Sequence, residues 1–304
     1  MTSAPAPAPG ATGAGPGAGP RQRFSVALCT FEGSAHLEPQ LASLAAQARL
    51  PDELVACDDR SSDGTAEILR AFARRAPFPV RVEVNETRLG TTKNFEKAIG
   101  LCTGDLIATC DQDDVWLPEK LALVEEAFAR DPRLGLVFTD ADIVDGSLRP
   151  MGYRLWDAIH FDGRARREVL RGRGFDVLLR QWLVTGATMA FRSEYRSLLL
   201  PIPACWVHDA WIAFLLGAVS SLGFVERPTV RYRQHPGQQV GARKFTLGEL
   251  ISAGRAMGPA YFGINHERIR VARDRLLATS RWVVDPGDLA LVDRKLAHQA
   301  RRLA

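Results

Sequence analysis

The chain has 304 residues, 46% of them hydrophobic and 24% charged, a globular balance that excludes a fibrous or wholly disordered protein and suits one large α/β domain or two small ones. Its 39 Lys and Arg against 35 Asp and Glu give a formal charge of only +4, too small an excess for a nucleic-acid binder, so no nucleic-acid partner is expected. Five cysteines (Cys29, Cys57, Cys102, Cys110 and Cys205) stand singly, without a CxxC pair or a histidine cluster, which argues against a disulfide scaffold or a thiolate zinc site and for a reducing cytosol.

Sixteen of the first twenty residues are Ala, Pro or Gly, too little apolar surface to offset the entropy of ordering, and residues 1–22 are expected to form a disordered tail. They lack the basic start and apolar run of a secretory signal. The folded domain, residues 23–243, opens with Phe24 to Cys29 (FSVALC), a buried strand. Leu37, Leu41, Leu44 and Ala48 follow at helical spacing. Glu53 to Cys57 is a second strand, Thr65 to Arg74 an amphipathic helix, and Val80 to Val84 an alternating strand. Asn94 to Leu101 is a helix, and Asp105 to Cys110 a fourth strand that runs into Asp111-Gln112-Asp113-Asp114. Such alternation predicts βαβ units, a mostly parallel sheet flanked by helices.

Beyond Lys120 the pattern loosens. Leu134 to Thr139 and Val184 to Phe191 are strand-like, the latter with a glycine break, and Thr229 to Tyr232 is a last strand. The run Ala210 to Val225 is uncharged but shorter than the roughly 20 apolar residues of a membrane span, and it reads as a buried helix, a turn and a strand. Gly163 to Gly174 carries five arginines and one glutamate, either a solvated helix face or a surface for an anionic acceptor. Residues 244–304 are expected to form a helical C-terminal extension whose arginines face either an anionic membrane or a packing partner.

In parallel α/β sheets ligands bind beyond the carboxyl ends of the strands. Acidic residues fall at two such ends, Asp58 and Asp59 after the second strand, and Asp111, Asp113 and Asp114 after the fourth. Three carboxylates within four residues repel one another unless a cation or water intervenes. Hard oxygen ligands suit Mg²⁺ or Mn²⁺, which are held by one or two carboxylates plus substrate phosphates. An EF-hand loop counted from Asp111 fails, because Val115, Trp116 and Ala122 occupy the positions that need a polar ligand, Gly and Glu. Asp111-Gln112-Asp113-Asp114-Val115 also resembles a haloacid-dehalogenase phosphatase motif with Asp111 as nucleophile, although that motif normally follows the first strand of its domain.

Several stretches together resemble the family 2 glycosyltransferases, over roughly Arg23 to Gly241 and most closely the rhamnosyltransferase-like members. They are SVALCTFEG (Ser25 to Gly33), VACDDRSSDGT (Val55 to Thr65), CDQDDVWLPEKL (Cys110 to Leu121), TGATMAFR (Thr185 to Arg192), VHDAWIAF (Val207 to Phe214) and YRQHPGQQVG (Tyr232 to Gly241). The resemblance implies the GT-A nucleotide-sugar-binding fold and an inverting, metal-dependent transfer from a UDP- or dTDP-sugar to a glycan or lipid-linked glycan, in bacterial surface polysaccharide synthesis. It puts Thr30, Glu32, Asp58 or Asp59, Arg88 and Asp111 along the nucleotide sugar. It gives Asp113 and His235 to Mn²⁺ or Mg²⁺, and Asp209 the role of catalytic base. Asp114 either supports these groups or caps the next helix, and Asp209 could also cap a helix starting at Ala210. Trp182, Thr185, Gly186 and His208 would lie on the acceptor side, with Trp116 and Trp182 as candidate sugar platforms. His208 stands where the family often has Glu, which leaves that Glu's acceptor contact in doubt. The implied location is cytoplasmic or peripheral at the inner membrane face. A non-catalytic nucleotide-sugar sensor on the same fold is the other class considered. A sugar-nucleotide synthesising enzyme is disfavoured, because Thr30 to Ser34 lacks a Gly-rich basic loop.

Overall fold

The computed structural model describes residues 21–235 and 259–303. The expected tail, apart from its last two residues, and positions 236–258, including the end of the YRQHPGQQVG stretch, lie outside the described residues.

The first half is built as alternating units: β1 (Phe24–Thr30), α1 (Ser34–Ala45), β2 (Glu53–Asp58), α2 (Thr65–Ala73), β3 (Val80–Val84), α3 (Thr91–Leu101) and β4 (Leu106–Asp111). β1 is buried along its whole length, so FSVALCT is apolar nearly throughout. α1 turns Leu37, Leu41 and Leu44 onto the sheet, and β3, at the edge, keeps polar Arg81 and Glu83 paired at 2.9 Å. β3, β2, β1 and β4 lie side by side in parallel.

The second half contains β5 (Val115–Trp116), α4 (Lys120–Arg130), β6 (Leu134–Asp145), β7 (Pro150–Arg154), α5 (Leu155–Ala158), α6 (Gly163–Leu170), α7 (Gly174–Leu178), a 3-10 turn (Gly186–Thr188), β8 (Met189–Arg192), α8 (Arg196–Leu199), α9 (His208–Val219) and β9 (Ser221–Gln234). β8 runs antiparallel between β4 and β6, joining the halves into one nine-stranded sheet. β6 pairs in parallel with β9, from Leu134 opposite Ser221 to Asp145 opposite Gln234. β5 pairs antiparallel with β9, Val115 opposite Arg231 and Trp116 opposite Val230, so the acidic turn is hydrogen-bonded to the strand that leads to His235.

The expected strand at 184–191 is shorter, because Gly186 begins a 3-10 turn, and the expected 229–232 strand extends to fourteen residues. In the arginine-rich stretch Asp162 caps α6 by accepting from Ala165 N at 2.8 Å, Glu168 pairs with Arg171 and Arg173, and Arg166 pairs with Glu226. α9 is buried on nearly every face, which accounts for its lack of charge after Asp209. Two further helices, α10 (Pro259–Ala278) and α11 (Pro286–Leu303), pack on each other, and α10 also rests on α9. No helix among the described residues is long and apolar enough to cross a membrane.

Candidate functional site

Sheet register sets the first wall of the site. Thr30 lies opposite Asp58, and Cys29 opposite Asp111, so the ends of β1, β2 and β4 emerge together. Thr30 Oγ1 donates to Asp58 Oδ1 at 2.7 Å, and Ser61 donates its N–H to Oδ2 at 2.8 Å and its hydroxyl to Oδ1 at 2.6 Å. Asp59 accepts from Asn85 Nδ2 at 2.8 Å, Leu89 N at 2.7 Å and Gly90 N at 2.8 Å. Both carboxylates are buried and knit the loops of this wall together. Gly90 holds φ at +79°, a region L side chains rarely adopt, and this turn delivers its N–H to Asp59. Glu32 Oε1 accepts from Ser62 N at 2.9 Å, and the Arg88 guanidinium lies 3.7 Å from the Phe31 ring centroid.

The acidic turn forms the floor. Gln112 pairs both amide atoms with the Phe31 backbone, donating to its O at 2.9 Å and accepting from its N at 2.8 Å. Asp113 Oδ2 lies 2.9 Å from His235 Nε2, and the His36 ring stands 4.7 Å from that of His235. Asp114 does not cap α4, whose N-cap is Glu119. Its Oδ1 instead accepts from Arg233 N at 3.0 Å, and its Oδ2 is buried with no hydrogen-bond partner. Arg233 threads behind the turn, donating Nε to Asp113 O at 2.5 Å and Nη1 to Gly146 O at 2.6 Å. Lys120 is buried beneath, with Nζ 2.6 Å from Ala187 O and 3.5 Å from the Trp116 ring centroid. That burial removes Trp116 as a sugar platform; Trp182, 52% exposed, keeps an open face.

The residues expected on the acceptor side gather around the start of α9 and the 3-10 turn. Asp209 lies inside the first turn of α9, whose N-cap is Val207, so it is not the cap expected of a helix starting at Ala210. Its Oδ2 accepts from Gly186 N at 3.0 Å and its Oδ1 from Ala210 N at 2.7 Å. Thr185 O accepts from Thr188 N at 2.9 Å and closes the 3-10 turn, while Thr109 Oγ1 donates to Gly186 O at 2.6 Å. His208 is buried, stacked 3.9 Å over Phe95, and neither ring nitrogen has a hydrogen-bond partner. Trp182 reaches this group through Trp206, edge to face at 6.2 Å.

Electrostatics tie floor and wall together. Burial, then the negative charges of Asp113 and Asp209, push the Asp111 carboxyl up to about 7. Burial and the same acidic neighbourhood push Asp114 well above the usual carboxylate range. Burial lowers the Lys120 ammonium to about 7 against the pull of Cys110, Asp114 and Asp111, and burial lowers both His36 and His208. Asp111 therefore lies within electrostatic reach of Asp113 and Asp209, Asp113 contacts His235, and Thr30 and Asp58 end the strands beside Asp111. No three His, Cys, Asp or Glu among the described residues converge as a complete metal-binding set. Asp113 and His235 still offer hard oxygen and nitrogen donors beside unneutralised carboxylates and the unpartnered Asp114 Oδ2, a donor set that fits Mg²⁺ or Mn²⁺ sharing its shell with substrate phosphates.

Gln112, Lys120, Arg233 and His36 are the site-building residues that the sequence reading passed over. A hint was present for three of them, since Gln112 and Lys120 lie inside CDQDDVWLPEKL and Arg233 in YRQH.

A family model described as Glycosyl transferase family 2 matches residues 25–193. The amylovoran biosynthesis glycosyltransferase AmsB of Erwinia amylovora is 27% identical over 142 residues, covering 42% of this chain and 47% of that protein. This chain matches less than half the length of such curated relatives. Among solved structures, S. aureus TarS in complex with UDP-GlcNAc superposes with a TM-score of 0.61 at 17% identity, covering 92% of this chain and 72% of that one. The mannosyltransferase PcManGT from Pyrobaculum calidifontis, in complex with GDP-Man and Mn²⁺, gives 0.56 at 18% identity, over 93% of this chain and 74% of that one. At such identities the likeness concerns the fold, which is that of the GT-A glycosyltransferases.

Proposed function

The chain belongs to glycosyl transferase family 2, and we propose that it is an inverting, metal-dependent hexosyl- or rhamnosyltransferase, moving a sugar from a UDP- or dTDP-linked donor to a hydroxyl of a glycan or lipid-linked glycan. The observation that carries the reading is the clustering of acidic groups at the strand ends: Asp113 lies 2.9 Å from His235, and the charges of Asp113 and Asp209 both raise Asp111. The nucleotide sugars in the titles of the TarS and PcManGT structures, and the Mn²⁺ of the latter, support a nucleotide-sugar donor and a divalent cation. The name of AmsB supports a place in bacterial surface polysaccharide synthesis. The work would be done in the cytoplasm or at the inner face of the membrane.

In this reading Thr30, Glu32, Asp58, Asp59, Arg88 and Asp111 line the nucleotide-sugar wall, and Trp182, Thr185, Gly186 and His208 belong to the acceptor side. Asp113 and His235 would hold Mn²⁺ or Mg²⁺, which when bound offsets charge on the departing diphosphate. Asp209 takes the proton of the acceptor hydroxyl as its oxygen attacks the anomeric carbon and the bond to the diphosphate oxygen breaks. Such base catalysis contributes about 10²–10⁴-fold. Gly186 N–H orients the carboxylate for that task.

The test begins with a thermal-shift panel of UDP- and dTDP-sugars with and without Mn²⁺, since a ligand that binds only the folded state raises the melting temperature. Asp113→Asn should lose metal-dependent donor binding. Asp209→Asn should keep donor binding and lose transfer. Near-normal transfer by Asp209→Asn would remove it as the base, and a panel without any shift would remove the donor class.

A further inference from the structure

The loop between α8 and α9 runs through Leu200-Pro201-Ile202-Pro203-Ala204-Cys205-Trp206 and delivers Asp209 three residues after Trp206. Much of its backbone is paired by side chains from two helices, and buried backbone groups need such partners. On one side α3 holds it: Lys93 Nζ donates to Ile202 O at 2.7 Å, and Glu96 Oε2 accepts from Ile202 N at 2.6 Å. On the other side α10 grips the Cys205–Trp206 dipeptide with a single residue. Arg268 Nε donates to Cys205 O at 2.6 Å, and the carbonyl of Arg268 accepts from Trp206 Nε1 at 2.9 Å. Two turns further along, Arg275 donates Nη1 to Leu198 O at 2.8 Å and Nη2 to Pro201 O at 2.9 Å. Trp206 is itself buried, packed against Trp211 and Phe214 of α9 and against the exposed Trp182.

We propose that α10 is a positioning element of the transfer reaction: the reciprocal clamp between Arg268 and Cys205–Trp206 fixes the first turn of α9, and with it the angle at which Asp209 meets the acceptor. The inference rests on Asp209 being the base. The geometry explains why the arginines of α10 at 268 and 275 point into the catalytic domain, while Arg270 and Arg273 pair with Glu267, Asp274 and Asp293 among the two C-terminal helices. A clamp of this kind acts on rate, because a base displaced by about 1 Å loses on the order of 100-fold in a reaction that depends on oriented approach.

The experiment uses the full chain and the variants Arg268→Ala, Arg268→Lys and Trp206→Phe. Trp206→Phe keeps an aromatic ring in the packing but loses the indole N–H together with part of the ring volume, so its effect is read beside Arg268→Ala, which leaves the Trp206 ring in place. Turnover is followed as UDP or dTDP release from UDP-glucose, UDP-GlcNAc and dTDP-rhamnose, with octyl glycosides as acceptors, and donor-side integrity as the melting-temperature rise given by UDP with Mn²⁺. The expected result is a kcat reduced on the order of 10-fold in Arg268→Ala and Trp206→Phe, with donor KM and the UDP-induced shift within about twofold of wild type, and substantial recovery in Arg268→Lys. Wild-type kcat in both variants, or a loss of kcat matched by an equal loss of donor binding, overturns the clamp while leaving the base assignment standing. No acceptor-dependent release by wild type itself overturns the assignment on which the clamp rests.

Discussion

Gly186 is the position where a single methyl group is expected to cost most. A Cβ there would meet His208 Nε2 at 2.8 Å, against an ordinary contact of 3.4–4 Å, so about 0.6 Å must be found. Neither partner has room to give it. The imidazole is stacked 3.9 Å over Phe95 and is only 4% exposed. Gly186 is held by Thr109 Oγ1 on its carbonyl at 2.6 Å and by Asp209 Oδ2 on its N–H at 3.0 Å. Overpacking of this kind costs about 1–3 kcal/mol, and each kcal/mol lowers the melting temperature of a large domain by about 2–4 °C. The displaced backbone also loosens a hydrogen bond to a charged carboxylate, worth about 1.5–3 kcal/mol, which corresponds to roughly 10–100-fold in transfer rate if Asp209 depends on that orientation.

Scanning fluorimetry reads the first quantity and steady-state release of the nucleoside diphosphate the second. The double variant Gly186→Ala/His208→Ala isolates the clash, because removing the imidazole makes room for the new methyl. Its melting temperature should lie close to that of His208→Ala alone, a coupling of about 1–3 kcal/mol. Strict additivity of the two single effects, or a Gly186→Ala protein as stable and as active as wild type, would refute the packing argument.

Gln112→Ala removes both amide bonds to the Phe31 backbone, and should raise donor KM several-fold with little change in kcat, as measured by initial rates across donor concentration. Arg233→Met strands the carbonyls of Asp113 and Gly146, and should lower stability by about 2–4 kcal/mol in urea unfolding while raising the Mn²⁺ concentration needed for half-maximal turnover. Burial, and then the neighbouring Asp285 and Asp176, raise the Asp288 carboxyl to about 6. A group whose folded pKa is raised contributes stability below its unfolded value and loses it as pH climbs through the folded one, here from about 4 to about 6. Asp288→Asn should therefore match wild type near pH 4 and be more stable at pH 8, by about 1 kcal/mol after allowance for its partial exposure, in melts recorded across that range.

The parallel half of the sheet was legible because its signals are local. A short buried strand reads the same in FSVALCT, ELVACD and LIATCD whatever lies across the sheet, and the last two end in a carboxylate. Elements that depend on distant partners were not. β5 is two residues long and exists only through its pairing with β9, so no periodicity could announce it. Lys120 opens a helix and would pass for a solvent-facing cation, yet it is buried against Ala187 O, 67 positions away. Arg233 finds Asp113 O across 120 positions. The same limit applies to Asp58 and Asp59. Their place at a strand end marked them as ligand-facing, and only the fold reveals how much of their hydrogen-bonding capacity goes to Thr30, Ser61, Asn85, Leu89 and Gly90.

The acidic turn does not simply fan its carboxylates out into water. Solvated aspartates keep ordinary titration behaviour, whereas Asp111 is pushed up to about 7 and Asp114 is buried with one oxygen unpartnered. Arg233 and Lys120 are sunk beneath the turn, and both spend hydrogen bonds on backbone carbonyls, at Asp113, Gly146 and Ala187. Those bonds hold the turn in place and leave the Asp113 side chain to His235, 2.9 Å away. A structural ion-pair network would have closed the cations onto the carboxylates. This one fixes the frame and leaves the Asp113 carboxylate against His235, an arrangement that suits the proposed cation-assisted departure of a diphosphate.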